Sequence, residues 1–464
     1  MLFNTFEYLF FFLTVLTISW LTSPCRPLRL WVILIASFWF YFSNNHWQIA
    51  LLLLTTTIDW ALCLRMAVET NERRRKLLLS VSLISNLGLL FYFKYFNFFI
   101  GSIVEGLASI GWKLNWVEAQ IMLPVGISFF TFEALSYTID VYRRQIPAER
   151  QWSRLAFLVS FFPHLIAGPI IRAADFFPQI NKKPTLSLHD FELALYLIFV
   201  GIFKKLVLAD TLAIYADAAF DAPHSVDSLV AWLGVYAFAL QIFFDFSGYT
   251  DIARGCGKLL GYELPENFRR PYVAVSITDF WRRWHLTLSS WLRDYLYISL
   301  GGNRMKTKWG VYRNLMLTML LGGAWHGAAW HFVLWGGLHG ALLCIERAIP
   351  GGTGRPGLLR SLLVFHLVAL IWIPFRAKDL PSAEALLVQM VSGGIGPAYT
   401  YGMVIAALII AASWGWQYLT ERVDLRTHYL ALPIPVKALT YSLIALTVFV
   451  TTAGTPKTFI YFQF

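Results

Sequence analysis

Ten histidines are spread along 464 residues, and three of them sit singly in short apolar stretches. These are GGAWHGAAW (322–330) around His326, FWRRWHLTLSSW (280–291) around His285 and FPHLIAGP (162–169) around His164. Histidine is the cheapest ionisable side chain to bury, because it can be carried neutral. A neutral imidazole in a dry site is also what a general base requires. His326 makes the strongest candidate: Ala324 and Gly327 beside it leave room for a substrate, and Trp325 and Trp330 frame it. His285 falls on the apolar side of its own stretch, where an imidazole needs a partner or a cavity. His164 is a candidate for lining a cavity. His331 and His339, eight apart with Trp335 between them, share a helix face and read as a packing stripe. Among the carboxylates, Glu133 and Asp140 are expected to pair with Arg143, Arg144 or an arginine of another helix. Asp245 and Asp251 are expected in capping or ion-pair roles. No metal is expected, since there is no HExxH and no carboxylate within a helical turn of His326. PGGTGRPG (350–357) lacks the Lys-Ser/Thr of a phosphate-binding loop and reads as a linker.

The elements that hold these residues follow from composition. Hydrophobic residues make up 57% of the chain and charged ones only 14%, against about a quarter in soluble domains. That places the chain among all-α polytopic membrane proteins. Apolar runs able to span, or nearly span, a bilayer fall roughly at 5–21, 28–43, 47–64, 77–100, 121–142, 192–216, 228–245, 310–325, 328–345, 359–375, 401–418 and 435–452. The first lacks the basic flank and cleavage site of a removable signal, so it is expected to stay as a membrane helix. The net charge of +11 would suggest nucleic acid in a soluble protein. Here it fits Lys/Arg-rich cytoplasmic loops facing anionic lipid, and no nucleic-acid partner is expected. The four cysteines show no metal spacing and read as small hydrophobes.

Arg26 and Arg29, the 72–76 cluster and Arg143–Arg154 mark successive cytoplasmic returns. The run 155–171 is short and broken by Pro163, Gly168 and Pro169, which predicts a re-entrant segment. From 246 to 276 the chain is too polar to span. The next stretch, 277–300, places Trp281, Trp284, His285, Leu288, Leu292 and Tyr295 on one face. It predicts a cationic amphipathic helix that lies at the membrane interface or roofs a cavity from the cytoplasmic side, with Ser276 or Thr278 as its cap. The chain reads as one membrane domain over 1–464, with about 11–13 membrane segments counting re-entrant and interfacial ones. Residue types and spacing alone leave an enzyme and a transporter equally open.

Six blocks in order resolve that choice by resemblance: LPVGISFFTFEALSYTIDVYR (123–143), FPHLIAGPIIR (162–172), DFSGYTDIARG (245–255), WRRWHLTLSSWLRDYLYISLGGNR (281–304), GGAWHGAAW (322–330) and FIYFQF (459–464). Together they resemble the membrane-bound O-acyltransferases, and within them the bacterial branch that O-acetylates alginate and cellulose. The likeness covers about 120–345, with the N-terminal hundred residues similar only in hydropathy. It implies a ring of membrane helices around a tunnel in a multi-pass protein of the bacterial inner membrane. It implies catalytic His326, with His285 as the second site histidine and Thr287 where the block often has serine. Arg282 and Arg283 are expected, from their charge, to attract the phosphates of coenzyme A. The resemblance further implies acetyl-CoA as donor substrate with no bound cofactor, periplasmic SGNH-hydrolase-like acetyltransferase partners, and polysaccharide export machinery. An acyl-group transporter without its own chemistry, and D-alanyl or peptidoglycan acyl transfer, are the alternatives.

Overall fold

The computed structural model describes residues 3, 5–349, 357–392, 394 and 401–451, and among them every regular element is helical. The expected linker at 350–357 and the FIYFQF block fall almost wholly outside the described residues. Six helical stretches are long and apolar enough to cross a membrane: His46–Val68, Glu72–Ser109, Ser228–Leu259, Leu358–Arg376, Gly402–Leu419 and Ile434–Thr451. The chain falls into two compact units, Met1–Asp190 with Cys256–Pro265, and Phe191–Gly255 with Glu266–Phe464.

The first unit holds α1 (Phe6–Leu21), α2 (Arg26–Asn45), α3 (Ile49–Val68), α4 (Glu72–Leu90), α5 (Phe96–Ser109), α6 (Ile127–Tyr142), α7 (Trp152–Ser160) and α8 (Ala173–Asn181). Thr5 and Asn71 cap α1 and α4 by accepting from the first free backbone N–H groups. A buried Asp59 of α3 accepts hydrogen bonds from Ser82 at 2.5 Å and Asn86 at 2.9 Å, which ties α3 to α4. The apolar run 121–142 becomes helix only from Ile127, because Pro124 and the left-handed Gly126 (φ 78°) precede it. The run 155–171 is broken as its prolines and Gly168 foretell: α7 stops at Ser160, and a turn and extended chain follow to Arg172, with 155–171 wholly buried. The expected arginine partner of Glu133 is corrected by the structure. Glu133 instead accepts from His164 Nε2 at 3.1 Å and from the Ile171 N–H at 3.0 Å. Irregular backbone at this depth needs its freed polar groups satisfied internally, and Glu133 does that for both ends of the turn.

The second unit carries α9 (Leu188–Ile202) from Phe191 on, α10 (Asp210–Phe220), α11 (Ser228–Leu259) up to Gly255, α12 (Ile277–Trp281), α13 (Leu286–Trp291), α14 (Lys308–His326), α15 (Trp330–Ala348), α16 (Leu358–Arg376), α17 (Leu380–Ser392), α18 (Tyr401–Leu419), α19 (Leu425–Leu430) and α20 (Ile434–Thr451). A π-helical turn at Phe203–Ala209 joins α9 to α10. Helix α11 runs fourteen residues past the expected end of its apolar run at 245, through SGYTDIARGCGKL. Both of its aspartates are paired inside the protein: Asp245 meets Lys205 at 2.6 Å, and Asp251 meets Lys204 at 2.6 Å. The core is aromatic, with Phe238, Tyr272, Phe280, Trp284, Trp335, Trp372 and Phe375 all nearly inaccessible.

One expectation fails at 277–300. The segment is not a single interfacial helix: α12 ends at Trp281, α13 begins at Leu286, and a π-helical turn follows at Leu292–Tyr297. Trp284, His285 and Leu288 are buried within protein. Ser276 does cap the start, accepting from the Asp279 N–H.

Candidate active site

The break at 281–286 is what sets His285. Its backbone adopts a left-handed conformation (φ 43°, ψ 58°), and its Nδ1 accepts from the Leu288 N–H at 3.4 Å, so the imidazole serves as the N-cap of α13. Asn267 holds the break open. Its carbonyl accepts from the Leu286 N–H at 2.9 Å, and its side-chain oxygen accepts from the Thr287 hydroxyl at 2.7 Å. One residue pair further out, the Arg269 N–H donates to the Arg283 carbonyl at 2.9 Å. His285 is fully buried, its ring 4.7 Å from Phe246 of α11 and 6.5 Å from Phe268. Lying outside the six candidate spans, it is pushed down by that burial to about 3, and so is neutral at pH 7.

His326 closes α14 and is 5% exposed. Its walls are Trp325 at 5.0 Å, Trp335 of α15 at 5.0 Å and Phe375 of α16 at 5.2 Å, all edge-on. The expected frame is therefore half right: Trp325 is a wall, while Trp330 is 56% exposed. The small residues also have a different purpose from the one expected. A Cβ on Gly327 would lie 2.0 Å from the Phe332 ring, so the space beside His326 is filled by Phe332. Gly323 and Gly336 similarly let the α14 and α15 backbones touch, since a Cβ on either would lie 2.2–2.3 Å from a carbonyl oxygen of the other helix. That close crossing is what brings Trp335 onto His326.

The two site histidines meet through one indole. The Trp325 ring is 5.0 Å from His326 and 6.3 Å from His285. Aromatic edges of this kind hold a ring in one orientation while excluding water. His331 donates from Nδ1 to the Pro374 carbonyl at 2.9 Å, which fixes α16 next to the Phe375 wall. His339 packs against Trp281, Trp335 and Phe280. Neither of its ring nitrogens has a hydrogen-bond partner among the described residues. His164 lies in the first unit, where it pairs with Glu133.

Of the arginines expected to draw phosphate, Arg283 is spent on carboxylates: it pairs with Asp279 at 2.9 Å and Glu421 at 2.6 Å. Arg282 is exposed. Among the described residues no group of three or more His, Cys, Asp or Glu could hold a metal ion. Asn267, Trp335, Phe375 and Phe246 are site-forming residues that the sequence reading missed. Phe246 falls in the DFSGYTDIARG block and Trp335 on the His331–His339 face, but nothing in the sequence places any of the four beside the histidines, because each reaches them from another element.

The chain belongs to the membrane-bound O-acyltransferases, the family whose model matches residues 8–363. The match reaches well beyond the expected core of 120–345. The chain is thus a multi-pass membrane enzyme of the O-acyltransferase class. It is similar to the probable alginate O-acetylase AlgI of Azotobacter vinelandii, at 43% identity over 89% of this chain and 83% of the relative. The peptidoglycan O-acetyltransferase of Helicobacter pylori is 38% identical over 84% of this chain and 80% of its own length. The teichoic acid D-alanyltransferase of Bacillus subtilis is 30% identical over 47% of this chain and 58% of its own.

Proposed function

We propose that the chain O-acetylates an exported polysaccharide, with His326 as general base and acetyl-CoA as donor. The observation that carries this is the seat of His326, a histidine closed in by Trp325, Trp335 and Phe375, with His285 on the same indole. In such a site the imidazole takes the hydroxyl proton as the oxygen attacks the thioester carbonyl. The C–O bond forms, the C–S bond breaks, and the proton passes to the departing sulfur. General-base help of this kind contributes about 10²–10⁴ in rate. His285, neutral and oriented by its cap, suits a hydrogen bond to the developing oxyanion.

Acetyl transfer to a glycan is preferred to D-alanyl transfer because the acetyl-transferring relatives match over more than four-fifths of this chain and the D-alanyl one over under half. Alginate and peptidoglycan are the two acceptors those relatives name. A periplasmic SGNH-hydrolase-like acetyltransferase and the polysaccharide export machinery are the partners that would carry the acetyl group onward.

The test is release of labelled acetyl from acetyl-CoA by the purified protein in lipid, given an alginate oligosaccharide or a muropeptide. Wild type and His326→Ala are run side by side, with folding checked by size-exclusion profile. Wild type should turn over and the folded variant should lose about 10²–10⁴ of the rate. Equal turnover by a folded His326→Ala protein overturns the assignment.

A further inference from the structure

Within the first unit, a cavity of about 320 Å³ is lined by Arg29, Lys182, Lys183 and Lys258, with Asp190 and Glu263 as its carboxylates. Four cations face two acids, and the two acids are already taken: Lys258 bonds Asp190 at 2.9 Å and Glu263 at 2.8 Å. Arg29 is only 4% exposed, and among the described residues no carboxylate lies within ion-pair distance of it. Its Nε donates to the Ser19 carbonyl at 3.1 Å, Nη1 to the Tyr262 hydroxyl at 3.5 Å and Nη2 to the Leu260 carbonyl at 2.5 Å. A guanidinium has five N–H donors, so two remain unspent on a cation that lines an open cavity. A buried charge without a counter-charge is costly. Lys182 and Lys183 are exposed at the same cavity and form no ion pair among the described residues. Gly261, at φ 75°, suits the wall, since a Cβ there would crowd Pro184 at 3.3 Å and the left-handed backbone disfavours any side chain.

We propose that this cavity is a binding site for a phosphate-bearing anion, seated against the unspent donors of Arg29 with the Lys182 and Lys183 ammoniums closing over its charge. Planar guanidinium recognises phosphate by fork geometry, and the lysines act as mobile point charges. The phosphate comes either from an anionic lipid headgroup or from a soluble nucleotide, and the two sources are separable. Full-length wild type, the Lys182→Gln/Lys183→Gln variant and a Lys306→Gln/Lys308→Gln control are compared in nanodiscs. The control removes the same charge from exposed sites in the other unit. One arm measures preference for phosphatidylglycerol over phosphatidylcholine by native mass spectrometry. The other titrates adenosine 3′,5′-bisphosphate calorimetrically.

The Lys182/Lys183 variant should lose about tenfold or more in affinity on at least one arm, with the control unchanged. Loss on the lipid arm alone assigns a headgroup, loss on the nucleotide arm alone assigns a soluble phosphate, and loss on both assigns recognition of the phosphate itself. The proposal fails if wild type binds neither probe, if the variant matches wild type on both arms, or if the control weakens as much as the variant.

Discussion

At the scale of single residues, the chemistry depends on how tightly His326 is held, and Gly327 decides that. Because the Phe332 ring occupies the place of a Gly327 side chain, Gly327→Ala must push either Phe332 or the end of α14. Overpacking of this sort costs about 1–3 kcal/mol. A displacement near 1 Å at a reacting group can cost roughly 10² in rate. Gly327→Ala is therefore expected to lower the thermal midpoint in detergent and cut turnover by roughly 10–10². Adding Phe332→Leu should recover a good part of both, a coupling read from the double-mutant cycle; no recovery would mean the two side chains do not compete for the space. Much of this was legible in GGAWHGAAW, which marks a histidine beside small residues in an apolar chain. Hidden from the sequence was the identity of the neighbour those small residues admit. Trp335 and Phe375 reach His326 from α15 and α16, at separations no local pattern encodes.

Elements show the same limit in a different form. Helices were legible wherever an apolar run was long, and the break at 161–171 was legible from Pro163, Gly168 and Pro169. The break inside 277–300 was not, because the residue that turns left-handed is His285, and a non-glycine in that conformation carries no sequence signal. What stabilises it is Asn267, nearly twenty residues upstream, and that contact exists only once the chain has folded. Glu133 is the corresponding pin for the broken segment of the first unit, holding His164 and the Ile171 N–H together. Glu133→Gln keeps an oxygen for Ile171 and a group able to bond an imidazole, so its midpoint should stay near wild type. Glu133→Leu leaves a buried N–H and an imidazole unanswered, at about 1–3 kcal/mol for each orphaned group. Thermal denaturation of the purified proteins should rank wild type and Glu133→Gln together and well above Glu133→Leu. Equal midpoints for the two variants would show that Glu133 does not pin the turn.

For the molecule as a whole, apolar side chains face outward as well as filling the core: on α20, Ile434, Leu439, Leu446, Phe449 and Val450 are each more than half exposed. Some charge is nonetheless carried within. Lys205, at the π-helical turn after α9, lies 9% exposed between Asp245 of α11 at 2.6 Å and Asp210 of α10 at 2.9 Å. Ionisable groups at membrane depth persist only when paired or functional, and this lysine joins three helices of one unit. Where the helices cross, Gly201 and Gly248 bring the α9 and α11 backbones together, so that a Cβ on either would lie 2.6–2.7 Å from the other's carbonyl. Lys205→Met should therefore leave a buried carboxylate uncompensated and destabilise the fold by about 3–5 kcal/mol. Adding Asp245→Leu removes the more deeply buried of the two carboxylates and leaves only the 18%-exposed Asp210, and replacement of a buried ion pair by apolar groups is often close to neutral. The double variant should then melt near wild type while the single one melts far below it. If instead the double variant melts as low as the single one, the loss does not come from an orphaned Asp245, and Lys205 acts chiefly through Asp210.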